Sequence, residues 1–141
     1  MSLKSKGIAA ERDLVHLLQK KGFAAIRVAG SGSTQTPSTD ILAGNGTRLF
    51  SIECKTVHGE SRYVGREAIA DFVSFSRQFG AEPWIAVRFF RQPWRFLLIE
   101  DIPLTEKNVA ITRILAEAKG LLLDELVANS ECTQGTVVTF R

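Results

Sequence analysis

The segment TDILAGNGTRLFSIECKTV, residues 39–57, decides the fold, because it reads as a β-hairpin that carries charges where strands usually carry apolar side chains. Two alternating runs flank a Gly-Asn-Gly sequence, which is a strong hairpin signal. Asn45 and Gly46 both tolerate positive φ, so we predict a two-residue type I′ turn that pairs Gly44 with Thr47. The same register pairs the two strands residue by residue beyond the turn.

In this register the hairpin has one apolar and one polar face, because side chains alternate between the two faces of a sheet. The predicted apolar face holds Ile41, Ala43, Phe50, Ile52 and Cys54, and the predicted polar face holds Asp40, Ser51, Glu53 and Lys55. A shift by one residue would bury a charged side chain among apolar ones, which is strongly unfavourable. The pattern therefore favours this pair of faces.

The polar face is a candidate metal site. Asp40 and Glu53 are predicted to be diagonal neighbours with Cβ atoms about 7 Å apart, a span that one divalent cation bridges. Oxygen ligands favour Mg²⁺ or Mn²⁺ over Zn²⁺, and His16 and His58 show no zinc-ligand spacing. The alternative is a ladder of salt bridges between Asp40, Glu53 and Lys55 on an exposed sheet face.

Length and composition indicate one globular domain over residues 1–141, with residues 130–141 as a candidate tail or interaction peptide. No apolar run approaches the roughly 20 residues that cross a bilayer, so no membrane association is expected. The N-terminus lacks the apolar core of a signal peptide. The two cysteines, Cys54 and Cys132, show no metal-ligand or disulfide pattern. We therefore expect a reduced, cytoplasmic setting.

The positive charge is concentrated in one half of the chain. Residues 1–66 contain ten Lys and Arg against five Asp and Glu, although the whole chain carries a net charge of only +3. A basic half of this kind favours a polyanionic partner such as DNA. A solvated, lysine-rich surface would explain the charge equally well.

The remaining apolar patterns predict helices packed on a central sheet. An amphipathic helix is predicted over residues 8–21, with Ile8, Glu11, Val15 and Leu18 on one stripe. The further predicted elements are a strand over 23–28, a loop over 29–39, a helix over 66–79, strands over 83–90 and 94–100, and helical structure over 111–127 that breaks at Gly120. The predicted fold class is therefore mixed α/β.

Four motifs together resemble a known family. The segments AER (10–12), RVAGSGS (27–33), TDILA (39–43) and SIECK (51–55) resemble the archaeal Holliday junction resolvases of the Hjc and Hje family, within the PD-(D/E)xK nuclease superfamily. A threonine precedes Asp40 where the superfamily motif has a proline. The resemblance implies the restriction-endonuclease-like fold, with a central mixed β-sheet flanked by helices. It also implies Mg²⁺-dependent hydrolysis of DNA phosphodiesters by a homodimer.

The resemblance also implies a role for each matching residue. Asp40, Glu53 and the backbone carbonyl of Cys54 would bind the metal, with help from Glu11, and Mn²⁺ would substitute for Mg²⁺. Lys55 would orient the attacking water, and Ser31 would lie near the scissile strand. The DNA phosphates would be contacted by Lys4, Lys6, Arg12, Arg27, Arg62 and Arg66.

Three functions agree with these patterns. The first is a nuclease that resolves four-way DNA junctions by paired nicks during recombination and repair. The second is a nuclease of the same superfamily that acts on duplex or branched DNA. The third is a DNA-binding module without catalysis, in which the carboxylates form salt bridges.

The last residues of the chain carry a separate signal. Gln134, Val137 and Phe140 have the spacing of a peptide that binds a sliding clamp, although the second aromatic residue of such peptides is missing. A final strand, TVVTF, explains the same residues equally well.

Overall fold

The computed structural model describes residues 2–30 and 38–128, which form a mixed α/β structure. The elements in chain order are α1 (Leu3–Lys20), β1 (Ala24–Arg27), β2 (Ile41–Gly44), β3 (Leu49–Val57), β4 (Ser61–Gly65), α2 (Arg66–Phe79), β5 (Glu82–Phe89), β6 (Arg95–Leu97), a short 3₁₀ helix (Ile99–Asp101), β7 (Asn108–Thr112), α3 (Arg113–Lys119) and α4 (Leu123–Ala128). Within these ranges no helix is both long and apolar enough to span a membrane.

Five strands form the central sheet in the order β1-β2-β3-β5-β6. Strands β3 and β5 are parallel, whereas the other neighbouring pairs are antiparallel. The parallel pair is connected through α2, which packs on one face of the sheet, as a parallel crossover requires. The predicted fold class is therefore confirmed.

The predicted turn of the β2–β3 hairpin is wrong by one residue. Gly46 and Thr47 are the two central residues, and Asn45 is the first residue of the turn: its N–H donates to the Arg48 carbonyl at 3.1 Å, and its Oδ1 accepts from the N–H groups of Thr47 and Arg48 at 2.9 and 2.8 Å. Gly46 takes the positive φ of 90°. Ile41 consequently pairs with Ile52 instead of Phe50. The shift is by two residues, so every side chain keeps its predicted face.

Helix α1 covers the apolar face of this hairpin. It begins five residues earlier than predicted, at Leu3, because the Ser2 hydroxyl caps it by accepting from the Ser5 N–H at 3.1 Å. Its fully buried residues are Ala10, Leu14 and Leu18, which join a core cluster with Phe50 and Ile52. The buried stripe of α1 is therefore rotated relative to the predicted one. Ile8, Glu11 and Val15, which were predicted within the stripe, lie at the half-buried edge of the helix.

The other face of the sheet is covered by α2 and a two-stranded sheet of β4 and β7. The bounds of α2 agree with the prediction, and Gly80 ends the helix at φ 82°. Phe79 was predicted on its inner face but is half exposed. Ser51 was predicted on the charged face of the hairpin; it is buried, and the Ser76 hydroxyl of α2 donates to it at 2.8 Å.

The second sheet was not predicted. No element was predicted over β4, and β7 lies mostly before the helical stretch predicted from residue 111, overlapping only its first two residues. The two strands pair antiparallel from Ser61–Thr112 to Gly65–Asn108. The proposed clamp peptide, Gln134, Val137 and Phe140, lies outside the described residues, as do Ser31 and Cys132.

Candidate active site

Asp40 lies between two strands, immediately before β2. Its N–H donates to the Ile52 carbonyl at 3.2 Å, and its carbonyl accepts from the Val28 N–H at 2.8 Å. Its side chain is buried, and Oδ2 accepts a hydrogen bond from the Cys54 N–H at 2.8 Å. Backbone pairing on both sides therefore fixes the carboxylate at the surface of β3.

Thr39 is a positioning residue that the sequence analysis missed. It is fully buried, and its hydroxyl donates to the Ile52 carbonyl at 2.9 Å. The same carbonyl accepts from the Asp40 N–H. A small residue with a hydroxyl directly before the aspartate was the available sequence signal, and it stands where the superfamily motif has a proline.

Glu53 lies opposite Asp40 in the corrected register, closer than the diagonal arrangement that was predicted. Its Oε2 is 3.1 Å from Nζ of Lys55, and both side chains are about one-fifth exposed, at 22% and 20%. Burial, and then the negative charge of Asp40, raise the pKa of Glu53 to about 7, although Lys55 lowers it in part. The ionised pair of carboxylates is thus electrostatically unfavourable without a further cation.

Glu11 brings a third carboxylate from α1. Its Oε1 is 3.5 Å from Nη1 of Arg27 on β1, and both side chains are largely buried. Burial is the main cause that raises the pKa of Glu11, followed by the charge of Asp40, whereas Arg27 and Lys55 lower it. Glu11, the carboxylate in the predicted apolar stripe of α1, therefore lies close to the charges of Asp40 and Lys55 on the hairpin.

These residues line a common cleft of about 390 Å³, which we call the active-site cleft. Of the predicted site residues, the cleft brings together Lys4, Glu11, Arg27, Asp40, Glu53, Cys54 and Lys55. Burial, followed by the three neighbouring carboxylates, raises the pKa of the Cys54 thiol well above its ordinary value. Cys54 therefore remains a neutral thiol, and its N–H serves to hold Asp40.

Four of the predicted DNA contacts lie outside this cleft. Lys6 and Arg62 line neighbouring clefts, and Arg12 is exposed on α1. Arg66 lies at the start of α2, where its guanidinium donates to the carbonyls of Thr105 and Glu106, both at 3.2 Å. Arg66 thus holds the segment before β7.

The donor set fits a hard divalent cation that retains water. Asp40 and Glu53 present two facing carboxylates whose mutual repulsion a cation would relieve. Across residues 2–30 and 38–128, no three His, Cys, Asp or Glu side chains are grouped as a complete set of metal ligands. Two carboxylates with several waters are the arrangement that Mg²⁺ uses in proteins. Glu11 accordingly lies outside the pair of carboxylates that would bind the cation directly.

Comparison with known proteins identifies the family. The family model described as archaeal Holliday junction resolvase (Hjc) matches residues 2–134. The chain belongs to this family. The archaeal resolvase family thus accounts for the chain from the first helix through the segment beyond α4.

Named relatives within the resolvase family are similar over most of the chain. The crossover junction endodeoxyribonuclease Hjc of Archaeoglobus fulgidus is 45% identical over 109 residues, which cover 77% of this chain and 80% of the relative. The enzyme of the same name from Methanocaldococcus jannaschii is 34% identical over 134 residues, covering 86% and 96%. The Saccharolobus solfataricus enzyme Hje is 36% identical over 108 residues, covering 72% and 80%.

A solved structure agrees with the fold. The structure of Archaeoglobus fulgidus Hjc, a Holliday junction resolvase, matches with a TM-score of 0.81 at 39% identity, covering 86% of this chain and 98% of that one. The predicted restriction-endonuclease-like architecture is therefore confirmed.

Proposed function

We propose that this chain is a Mg²⁺-dependent endonuclease that resolves four-way DNA junctions. The observation that carries the proposal is the facing pair of Asp40 and Glu53, with Lys55 at 3.1 Å from Glu53, in a chain of the resolvase family. The net reaction is hydrolysis: a water oxygen bonds to phosphorus, and the bond from phosphorus to the leaving strand oxygen breaks.

Asp40 and Glu53 would hold the metal, with the Cys54 carbonyl as a further ligand. Bound Mg²⁺, or Mn²⁺ in its place, supplies activation of the attacking water and neutralises charge at the reacting phosphate. The Cys54 N–H fixes Asp40 Oδ2 at 2.8 Å, so this carboxylate is preorganised before DNA arrives.

The two cations that pair with carboxylates of the cleft would have different tasks. Lys55 is paired with Glu53 and lies where it would orient the attacking water and stabilise negative charge on the phosphate. Arg27 is paired with Glu11 and lines the cleft, where it would contact a DNA phosphate. Glu11 would orient a water of the metal shell, and Ser31 would lie close to the cleaved strand.

Junction resolution requires cuts in two strands, so we propose a homodimer with one active site in each subunit. Lys4, Lys6, Arg12 and Arg62 would contact the DNA backbone around each site. Such contacts recognise shape and phosphate rather than base sequence, and their affinity falls steeply with salt. A sliding clamp would be a further partner, bound through Gln134, Val137 and Phe140.

The proposal is tested with an end-labelled four-way junction and a linear duplex of the same sequence. We expect symmetric paired nicks in the junction with Mg²⁺, none with EDTA, and much slower cleavage of the duplex. Equal cleavage of both substrates would instead indicate a duplex nuclease. Tight junction binding with no cleavage in Mg²⁺ would indicate a binding module.

A further inference from the structure

A second cleft lies beside the active site, between the first turns of α1 and the ends of β3 and β5. It has a volume of about 550 Å³, and we call it the aromatic cleft. Its lining includes Leu3 and Lys6 of α1, together with His58, Phe90 and Arg91. Of these residues, only Lys6 has a part in the proposed function, as a contact to the DNA backbone.

The base of the aromatic cleft is an exposed ring pair. His58 and Phe90 follow directly after the parallel strands β3 and β5, and the Phe90 N–H donates to the Val57 carbonyl at 2.9 Å. Their ring centroids are 4.3 Å apart with an interplanar angle of 33°. Phe90 is 49% exposed, so the pair leaves ring surface open to solvent. An exposed ring surface of this kind can stack a planar ligand.

Arg91 takes an unfavourable backbone conformation beside this ring pair. Its φ is 62°, a left-handed value that side chains other than glycine adopt at a cost. The conformation lays the guanidinium over the Phe90 ring, 5.1 Å from its centroid. A glycine would be more favourable at this turn, so a contribution of the arginine side chain to function would explain its presence.

The charge of the aromatic cleft suits an anionic ligand. Lys6, Arg88 and Arg91 face one acid, Asp13, which lies 3.8 Å from Arg88. Lys6 and Arg91 are therefore available to bind phosphate, since Arg88 is paired with Asp13 and packs over Trp94 at 4.9 Å. Exposed rings flanked by cations are the features by which proteins bind single-stranded nucleic acid.

The aromatic cleft adjoins the active-site cleft through a third cleft. A small cleft of about 360 Å³ shares Leu3, Ala10 and Thr56 with the aromatic cleft, and shares Lys4, Glu11 and Lys55 with the active-site cleft. Along β3, Glu53 and His58 are about 16 Å apart, which corresponds to a few nucleotides of strand. A DNA strand that leaves the active site would therefore reach the ring pair.

We propose that the aromatic cleft binds an unpaired, unstacked base of the DNA strand that passes through the active site. The Arg91 guanidinium moves from the Phe90 ring to an adjacent phosphate, which it holds together with Lys6, and the base stacks on the ring surface of Phe90 and His58. This inference rests on the proposed function. Taking a base out of the stack costs free energy in an intact duplex and less where pairing is already disturbed, and we expect the exchange point of a four-way junction to lower this cost. The aromatic cleft therefore favours junctions over duplex.

The test measures equilibrium binding in EDTA, so that no DNA is cut. The probes are a four-way junction, a linear duplex, a single strand of thymidines and an abasic strand of the same length. Phe90→Leu removes the ring and retains apolar bulk, Phe90→Tyr retains the ring, and Arg91→Gly removes the cation and the unfavourable φ. Lys119→Gln, an exposed residue of α3, controls for loss of one positive charge.

We expect the wild type to prefer thymidine to abasic strand, and Phe90→Leu to abolish this preference and weaken junction binding by about 5- to 10-fold. Duplex binding should be unchanged in Phe90→Leu, and Phe90→Tyr should resemble the wild type. Arg91→Gly should weaken strand binding more than Lys119→Gln does, while its melting temperature is unchanged or higher. A structural role for Arg91 would instead lower the melting temperature.

Two results would overturn the inference: a wild type that does not distinguish thymidine from abasic strand, or a Phe90→Leu variant with the wild-type preference. If Phe90→Leu lost affinity equally for junction and duplex, the result would indicate general damage to the fold and would also contradict the inference. Failure of the proposed function looks different. In that case the wild type binds junction no better than duplex and does not cleave it, whereas the thymidine preference is retained.

Discussion

Residues 2–30 and 38–128 contain two clusters of buried charge, and they are built differently. In the core, Arg48 and Glu82 form a bidentate pair at 3.1 and 2.8 Å, and both side chains are only 4% exposed. Trp84 Nε1 donates to the same carboxylate at 3.1 Å, and Arg48 donates to the Leu126 carbonyl at 2.7 Å. Each charge in this cluster thus has an opposite charge and further hydrogen bonds.

The active-site cluster has three carboxylates, Glu11, Asp40 and Glu53, paired with the two cations Arg27 and Lys55. Its charges are more exposed, and the pKa of both glutamates is raised by burial and by Asp40. The comparison shows that burial of charge alone does not mark a functional site. The raised pKa of two glutamates beside Asp40 does, because a metal ion would relieve the repulsion between these carboxylates.

Removing one charge of the core pair should have the largest effect on stability. Glu82→Gln leaves Arg48 buried without its counter-charge, so we expect the free energy of unfolding to fall by about 3–5 kcal/mol. Denaturant titration measures this. The control is Glu117→Gln, which removes an exposed pair with Arg113 on α3 and should change stability by less than about 0.5 kcal/mol. A similar small change in both variants would show that the core pair contributes little.

Removing one charge of the active-site cluster should affect catalysis instead. Asp40→Asn retains an oxygen that can accept from the Cys54 N–H, but it removes a negative ligand, so we expect cleavage to fall by about 10²- to 10³-fold or more. Initial rates of junction cleavage measure this, with Asp71→Asn on the exposed side of α2 as the control. Normal cleavage by both Asp40→Asn and Glu53→Gln would refute the assigned site.

The active-site cluster should also make stability depend on pH. The folded protein without metal holds a proton on Glu53 up to about pH 7, whereas the unfolded chain releases it near the ordinary glutamate pKa of 4.5. Stability should therefore fall as pH rises from about 4.5 to 7. In EDTA at pH 8, Glu53→Gln should be more stable than the wild type by on the order of 2 kcal/mol, and this difference should vanish at low pH. A less stable variant at pH 8 would contradict the proposed repulsion.

The smallest effect concerns two buried hydroxyls. Thr39→Val should lower the free energy of unfolding by about 1 kcal/mol, because the Ile52 carbonyl loses a hydrogen bond, and should also slow cleavage by displacing Asp40. Ser76→Ala removes a comparable buried hydroxyl from α2, away from the carboxylates, and should affect stability alone. Equal cleavage by the two variants would show that Thr39 does not position Asp40.

The sequence was most informative where a local pattern determines the structure. The two-residue alternation in β3 correctly placed Ile52 and Glu53 on opposite faces of the sheet. The error in the turn at Asn45 did not change this, because it shifted the pairing register by two residues and an even shift preserves the faces. Helix α2 was also predicted with its observed bounds, because its apolar period and the terminal Gly80 agree.

The parts that were missed depend on contacts between distant segments. β4 and β7 pair across more than forty residues, and β4 is largely exposed, so neither strand had a clear apolar pattern. The pairing of Arg48 with Glu82 spans 34 residues and leaves no local signal at either position. His58 had no metal-ligand spacing, and its stacking on Phe90 follows from the parallel pairing of β3 and β5.

The most direct test of the account is thermal unfolding at pH 8 over a range of Mg²⁺ concentrations. A cation that binds the folded state stabilises it by about 1.4 kcal/mol at ten times its dissociation constant. We predict that Mg²⁺ raises the melting temperature of the wild type and of Glu82→Gln, but not that of Asp40→Asn. An equal increase in Asp40→Asn would place the metal elsewhere and contradict the account.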